Sequence, residues 1–170
     1  MLYRDAFNNT IDHWMTELQQ YSFQQLCFKP NAESWSLGQV YMHLIHETKY
    51  YILQMEACLD NTENADATMD QQARIMFQND AFPNERILGD PVSAGNIPQP
   101  SSTVKLQQDL IALKVELNDV ADRITECSFT GKTQHPGLGY FSAVEWLQYA
   151  AMHWRHHEHQ KKRIDHLLLL

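Results

Sequence analysis

Cysteine is scarce in this chain. Its three copies, Cys27, Cys58 and Cys127, are odd in number, far apart and form no CxxC pair. That argues against a disulfide framework and against a cysteine zinc site. Positive charge is short as well: thirteen Lys plus Arg stand against twenty-one Asp plus Glu, a net −8 with histidine neutral. Such a field repels a phosphate backbone, so nucleic acid is not an expected general partner. No apolar run approaches a membrane span, the final "LLLL" being far too short, so no membrane partner is expected. The opening "MLYRDAFNNTIDHW" lacks an apolar core behind a basic start; a signal peptide is not expected and a reducing cytoplasm is the expected compartment. Strand signals are nearly absent.

What is present is helical. At 170 residues, with 44% apolar and 20% charged residues, the chain suits one globular domain with a real core. Four segments carry a 3.6-residue period. Phe7, Ile11, Trp14, Leu18 and Tyr21 form the first stripe, which ends before "FKPNAE", where Pro30 disfavours helix at Lys29. The second helix opens at the Ser36–Gln39 capping box and runs to about Leu59, with Leu37, Tyr41, Leu44, Thr48, Tyr51, Met55 and Leu59 on one stripe. Val40, His43, Glu47 and Tyr50 lie beside it, so a wide arc is buried. The third stripe runs Thr103, Leu106, Leu110, Leu113, Leu117, Val120, Ile124. The fourth follows the turn-like "GKTQHPGLGYF" and a second capping box, Ser142 with Glu145; it reads Trp146, Ala150, His153, His157, Gln160, Ile164, Leu167.

Between the second and third helices lie about forty residues, 60–102. "TMDQQARIMFQ" has the character of a short helix, and "DAFPNERILGDPVSAGNIPQPSS" reads as an extended crossover. The fold class expected is therefore all-α: a four-helix bundle with a long crossover between helices two and three, one neighbouring pair running parallel, and the crossover covering one end.

The stretch "MHWRHHEHQKKR" holds four histidines in seven positions. Helical spacing divides them. His153 and His157 share the buried seam, whereas His156 and His159 fall towards the flank and solvent, with Arg155, Lys161 and Lys162 also outside. Two imidazoles one turn apart can bind a single ion, the logic behind HExxH zinc sites. A third ligand has to come from another helix, and His43 in the wide arc of helix two is the best placed; His46 is on the next face. Glu47, one turn after His43, is placed to orient a ligand, to bind the ion or to act as a base. The plainer alternative stays open: core histidines are commonly satisfied by hydrogen bonds, and nine histidines leave room for coincidence. His13 and His166 belong to the surface. The aromatic and Met positions of the stripes read as core, and Lys161–Arg163 as a charge pattern suited to a helix C-terminus.

"PNAESWSLGQVYMHLIH" and "HPGLGYFSAVEWLQYAAMHWRHHEHQKKRI" together resemble the two motifs of the DinB-like (DinB/YfiT-type) metalloenzyme superfamily. The first has a tryptophan, a cap and a histidine on the helix. The second has HP-x-x-G, an E-W-L helix start and H-x-x-H-H-x-x-Q. The resemblance implies a four-helix bundle with a divalent metal, zinc or nickel, held by three histidines, which fall by position on His43, His153 and His157. It also implies a homodimer, and a small-molecule substrate handled either by a hydrolase or by a transferase that uses a low-molecular-weight thiol. His135 matches the HP element and is read as a turn near the pocket.

In the enzyme reading the metal activates a water or a small thiol, and Glu47 or His156 handles the proton. None of the cysteines sits at a motif position, so a protein thiol nucleophile is not expected. The rival reading is a non-catalytic metal-binding or stress-related protein; Glu47 as a fourth ligand would close the site in that way. A metal-free helical dimer is the third.

Overall fold

The computed structural model describes residues 2–31, 34–83, 97–128 and 131–168. Its helices are α1 (Leu2–Leu18), α2 (Phe23–Cys27), α3 (Leu37–Leu59), α4 (Gln71–Asn79), α5 (Thr103–Glu126) and α6 (Ala143–Leu168). The class is all-α, with one small hairpin: β1 (Lys132–His135) pairs antiparallel with β2 (Gly139–Ser142). Part of the expected crossover, residues 84–96, lies outside the described residues. The remainder contains α4, where the short helix was expected.

α1, α3, α5 and α6 form the bundle. α6 packs against α1 and α3, and α5 closes the opposite side on the same two helices. Glu17–Lys161 and Tyr21–Asp165 contacts show α1 and α6 running parallel. Contacts of Gly38 with Pro100 and of Glu56 with Arg123 show the same for α3 and α5, the pair joined by the crossover. α3 and α6 are antiparallel: His43 meets His153, Tyr51 stacks on Trp146, and Cys58 reaches Phe141. α1 and α5 are antiparallel too, tied by Arg4–Asp122 and Asp12–Lys114. So two neighbouring pairs run parallel, where the sequence suggested one.

The caps act where the sequence places them. Ser36 accepts from Gln39 N–H while the Gln39 side chain accepts from Ser36 N–H. Ser142 and Glu145 repeat the arrangement at α6. Such boxes satisfy backbone donors that a helix start leaves orphaned. A third box, Ser22 with Gln25, starts α2 after α1 has ended at Leu18. Tyr21 is therefore a turn residue, though buried as its place in the stripe requires.

The core contains every stripe position of α3 and all those of α5 from Leu106 to Ile124. On α6 the pattern departs from the expected single seam. Residues 146–154 are buried all round, because α1, α3, the hairpin and α4 all lie against them. Leu167, expected inside, is 57% exposed. Lys161, expected outside, is only 5% exposed. Its ammonium donates to Glu17 Oε2 and Asp165 Oδ2, both at 2.8 Å, and Tyr21 donates to the other Asp165 oxygen at 2.6 Å. The aliphatic stem crosses the α1–α6 seam so that its charge meets two carboxylates.

Two anchors lie beyond the histidines at one end of the bundle, one on α3 and one on α6. Gly38 is one: a Cβ there would stand 2.8 Å from the Pro100 ring and 2.9 Å from Leu26 O. Gly38→Ala should therefore destabilise the chain, since overpacking of ~1–3 kcal/mol exceeds the roughly 0.5–1 kcal/mol gained by removing a helical glycine. Urea unfolding checks the sign. The second anchor is Lys161. Lys161→Ala strands two partly buried carboxylates and is expected to cost on the order of 3 kcal/mol, whereas exposed Lys162→Ala stays within about 0.5 kcal/mol. Equal unfolding midpoints for the two variants would remove Lys161 from the anchoring role.

Candidate metal centre

His153 and His157 lie one turn apart on the side of α6 that faces α3, and His43 lies in the second turn of α3 opposite them. His153 is 7% exposed, His157 9%, and His43 is half-buried. Their Nε2 atoms face one another: His43 to His153 is 3.3 Å, His153 to His157 is 3.1 Å. One ligating nitrogen from each lies within 4.8 Å of the others. Burial is the main force keeping all three imidazoles neutral. It lowers His43 to about 4, aided by His46, and His157 to about 3, aided by His43. His153 is pushed well below its ordinary value by the same burial, with His157 and His43 adding repulsion. Neutral imidazole is the form that binds metal.

Hydrogen bonds at the far side of two rings fix where their lone pairs point. His157 Nδ1 donates to Gln160 Oε1 at 2.8 Å, so its Nε2 carries the lone pair. His153 Nδ1 stands 3.3 Å from the Tyr51 hydroxyl, which itself donates to Glu47 Oε2 at 3.3 Å. A phenol has one proton to give; given to Glu47, it leaves the oxygen to accept from His153 Nδ1. The Nε2 lone pairs of His153 and His157 then confront each other at 3.1 Å, a contact that a shared cation relieves and a hydrogen bond between them does not. Nitrogens bound tetrahedrally at ~2.0–2.1 Å to one ion stand roughly 3.3 Å apart, close to the separations found. The donor set fits a divalent ion.

Around this point the walls are aromatic. Trp35 packs on His43 with ring centroids 5.0 Å apart. Tyr149 stacks parallel to His153, and Phe82 lies 5.9 Å from His153 and 5.1 Å from His156. Phe82 is held there by the end of α4. Asp80 closes that helix in the left-handed region, at φ 47°, and accepts from Arg155 and Gln148 of α6. Arg155, read from the sequence as merely outside, is thus a tether.

The other expected residues separate clearly. Glu47 is not among the converging donors; its side chain is 33% exposed and its carboxylate is engaged with Tyr51. Among the described residues no carboxylate or thiol joins the three histidines. His156 is half-buried, its ring centroid 5.4 Å from that of His157. His46 and His159 are exposed, as are His13 and His166. His135 lies in the hairpin, its Nε2 3.1 Å from the Tyr149 hydroxyl and its ring stacked on Trp146; it backs the aromatic wall and takes no place in the cluster. The turn beyond it, with Gly137 at φ 94° after Pro136, has the Pro-Gly order of a type II turn. Tyr51 and Gln160 carry roles that stripe reading assigns to packing; their spacing, four after Glu47 and three after His157, is the signal that was available.

Three histidines facing one another across a helical bundle could hold a divalent ion. A family model for the DinB superfamily matches residues 6–160, and the chain belongs to that superfamily. No curated protein and no solved structure matches the chain. Among the described residues no helix is long and apolar enough to cross a membrane.

Loss of any one of the three imidazoles should abolish tight binding of a single zinc or cobalt(II) ion, whereas His46→Ala and His159→Ala should bind as wild type does. Thermal unfolding with and without metal reads this out: an ion at a hundred times its Kd stabilises by ~2.7 kcal/mol. An unchanged metal response in His153→Ala would show that the ion binds elsewhere.

Proposed function

We propose that this chain is a divalent-metal-dependent enzyme that activates a water molecule or a small thiol at His43, His153 and His157, acting as a hydrolase or as a thiol-dependent S-transferase. The observation that carries this reading is the convergence of three imidazole nitrogens with no fourth protein donor among the described residues. Structural zinc sites normally take four protein ligands, so a set of three favours catalysis over a purely stabilising metal. Zinc or nickel suits imidazole donors. When bound, such an ion supplies a Lewis acid with open positions, bringing the pKa of a water towards ~7 in the best zinc cases or holding a thiol as thiolate.

The residues of the chain do the rest. Burial keeps the three rings neutral, and Gln160 and Tyr51 hold two of them in the tautomer that turns Nε2 to the ion. Trp35, Phe82 and Tyr149 wall the site and limit water. His156, between His157 and the Phe82 ring, is the imidazole placed at the rim to exchange a proton with the substrate. The two chemistries differ in one requirement: ester or amide hydrolysis needs no added thiol, and transfer does.

The metal-loaded chain should turn over ester, amide or electrophilic substrates in a screen run with and without a panel of small thiols. His153→Ala should lose at least ~100-fold in kcat/KM, the scale expected when the activating ion is lost. Turnover confined to the thiol arm assigns the transferase; no turnover in either arm, with one metal per chain confirmed, rejects the catalytic reading.

A further inference from the structure

We infer that Tyr51 and Glu47 form a two-step hydrogen-bond relay that sets the tautomer and donor strength of His153, making both of them positioning residues for the metal. This rests on the metal-site reading above and deepens it. It gives Glu47, which is not among the converging donors, a role exerted through Tyr51.

The geometry is specific. Glu47 and Tyr51 are one turn apart on α3, so their side chains lie on one face. The hydroxyl of Tyr51 is 3.3 Å from Glu47 Oε2 and 3.3 Å from His153 Nδ1. The carboxylate only accepts, so the phenolic proton points towards it and the imidazole N–H points towards the phenol oxygen. Polarisation runs along such a chain: an anion pulling on the phenol proton makes the oxygen a better acceptor, and the imidazole a better donor at Nε2. Histidine ligands commonly give their second N–H to a carboxylate or carbonyl, and this outer contact affects metal affinity. Here a tyrosine stands between.

Burial explains the interposition. Tyr51 is 3% exposed and lies against the rings of Trp146 and Tyr149, at 5.6 and 5.3 Å. A carboxylate placed directly on His153 Nδ1 would sit inside that aromatic shell and lose its hydration. The phenol carries the influence of the charge inwards while Glu47 remains one-third exposed. His157 has only the neutral amide of Gln160 in the equivalent place. The two ligands of α6 are therefore unequal, with His153 the more strongly donating.

The test is cobalt(II) titration of the metal-free chain, read by dissociation constant and by the visible absorption bands that report ligand field. Wild type, Tyr51→Phe, Glu47→Gln and the double variant are compared, with Tyr50→Phe as control because, among the described residues, no histidine is hydrogen-bonded to Tyr50. Tyr51→Phe should weaken binding ~10–100-fold and shift the bands. Glu47→Gln should weaken it less, by about 3–10-fold. The double variant should be no weaker than Tyr51→Phe alone, because Glu47 acts only through Tyr51. Tyr50→Phe should match wild type. Binding within twofold of wild type and unshifted bands in Glu47→Gln, whose one-third-exposed site tolerates the change, overturn the relay even if Tyr51→Phe fails to fold; so does additivity in the double variant. A wild-type chain that binds no cobalt(II) overturns the metal reading itself, and the relay with it.

Discussion

The antiparallel register of α3 against α6 is the constraint on which the rest depends. It sets His43 of α3 opposite His153 and His157 of α6, and a slip of one residue on either helix would rotate a ring by about 100° out of reach. The register is held by contacts that run from the site towards the C-terminal end of α3. Trp154 donates to Thr48 Oγ1 at 2.8 Å, Tyr51 stacks on Trp146, and Cys58 Sγ lies 3.5 Å from Phe141 O. These are directional or flat-ring contacts and tolerate sliding poorly. At the start of α3, on the other side of the site, Gly38 lets the first turn close on α2 and Pro100, which fixes the rotation of the helix before His43 is reached.

The bundle was legible in the sequence because its helices are long and each buries a stripe. Ser36 with Gln39 and Ser142 with Glu145 located two starts, and the division of the histidine run into inward and outward members followed from spacing alone. The hairpin was not legible. Its strands are four residues each and mostly half-buried, so they carry no period. It is tied down instead by partners distant in sequence: Lys132 N–H donates to Glu63 O, and Met69 bridges Gly139. α2 escaped notice for a related reason, since five residues are too few for a period even though Ser22 and Gln25 spell its cap. Lys161 misled because a lysine in a basic run is ordinarily solvated. Its burial depends on Glu17 and Tyr21, about 140 positions away, and pattern along one helix contains no trace of them.

The site shows the same boundary at finer grain. Which helix face a residue occupies is a property of spacing; what a buried hydroxyl touches is not. Tyr51 reads as core and is core, yet its oxygen also joins a carboxylate to a histidine. Arg155 reads as solvated, yet it tethers the end of α4 and with it the ring of Phe82. One turn of α6 thus serves two ends: imidazoles turned towards α3, and a guanidinium turned towards the segment that walls them.

α6 continues through Leu168, about three turns past His157. Helices fray from their ends, where carbonyls lack partners and local opening costs little free energy. The extra turns place that breathing well away from the ring, and the lysine clasp on α1 falls between the two. A shorter helix would present the same histidines on a segment that opens continually, and a chelating imidazole that swings in and out binds its ion briefly. The length of the helix thus keeps His153 and His157 on a segment that seldom opens.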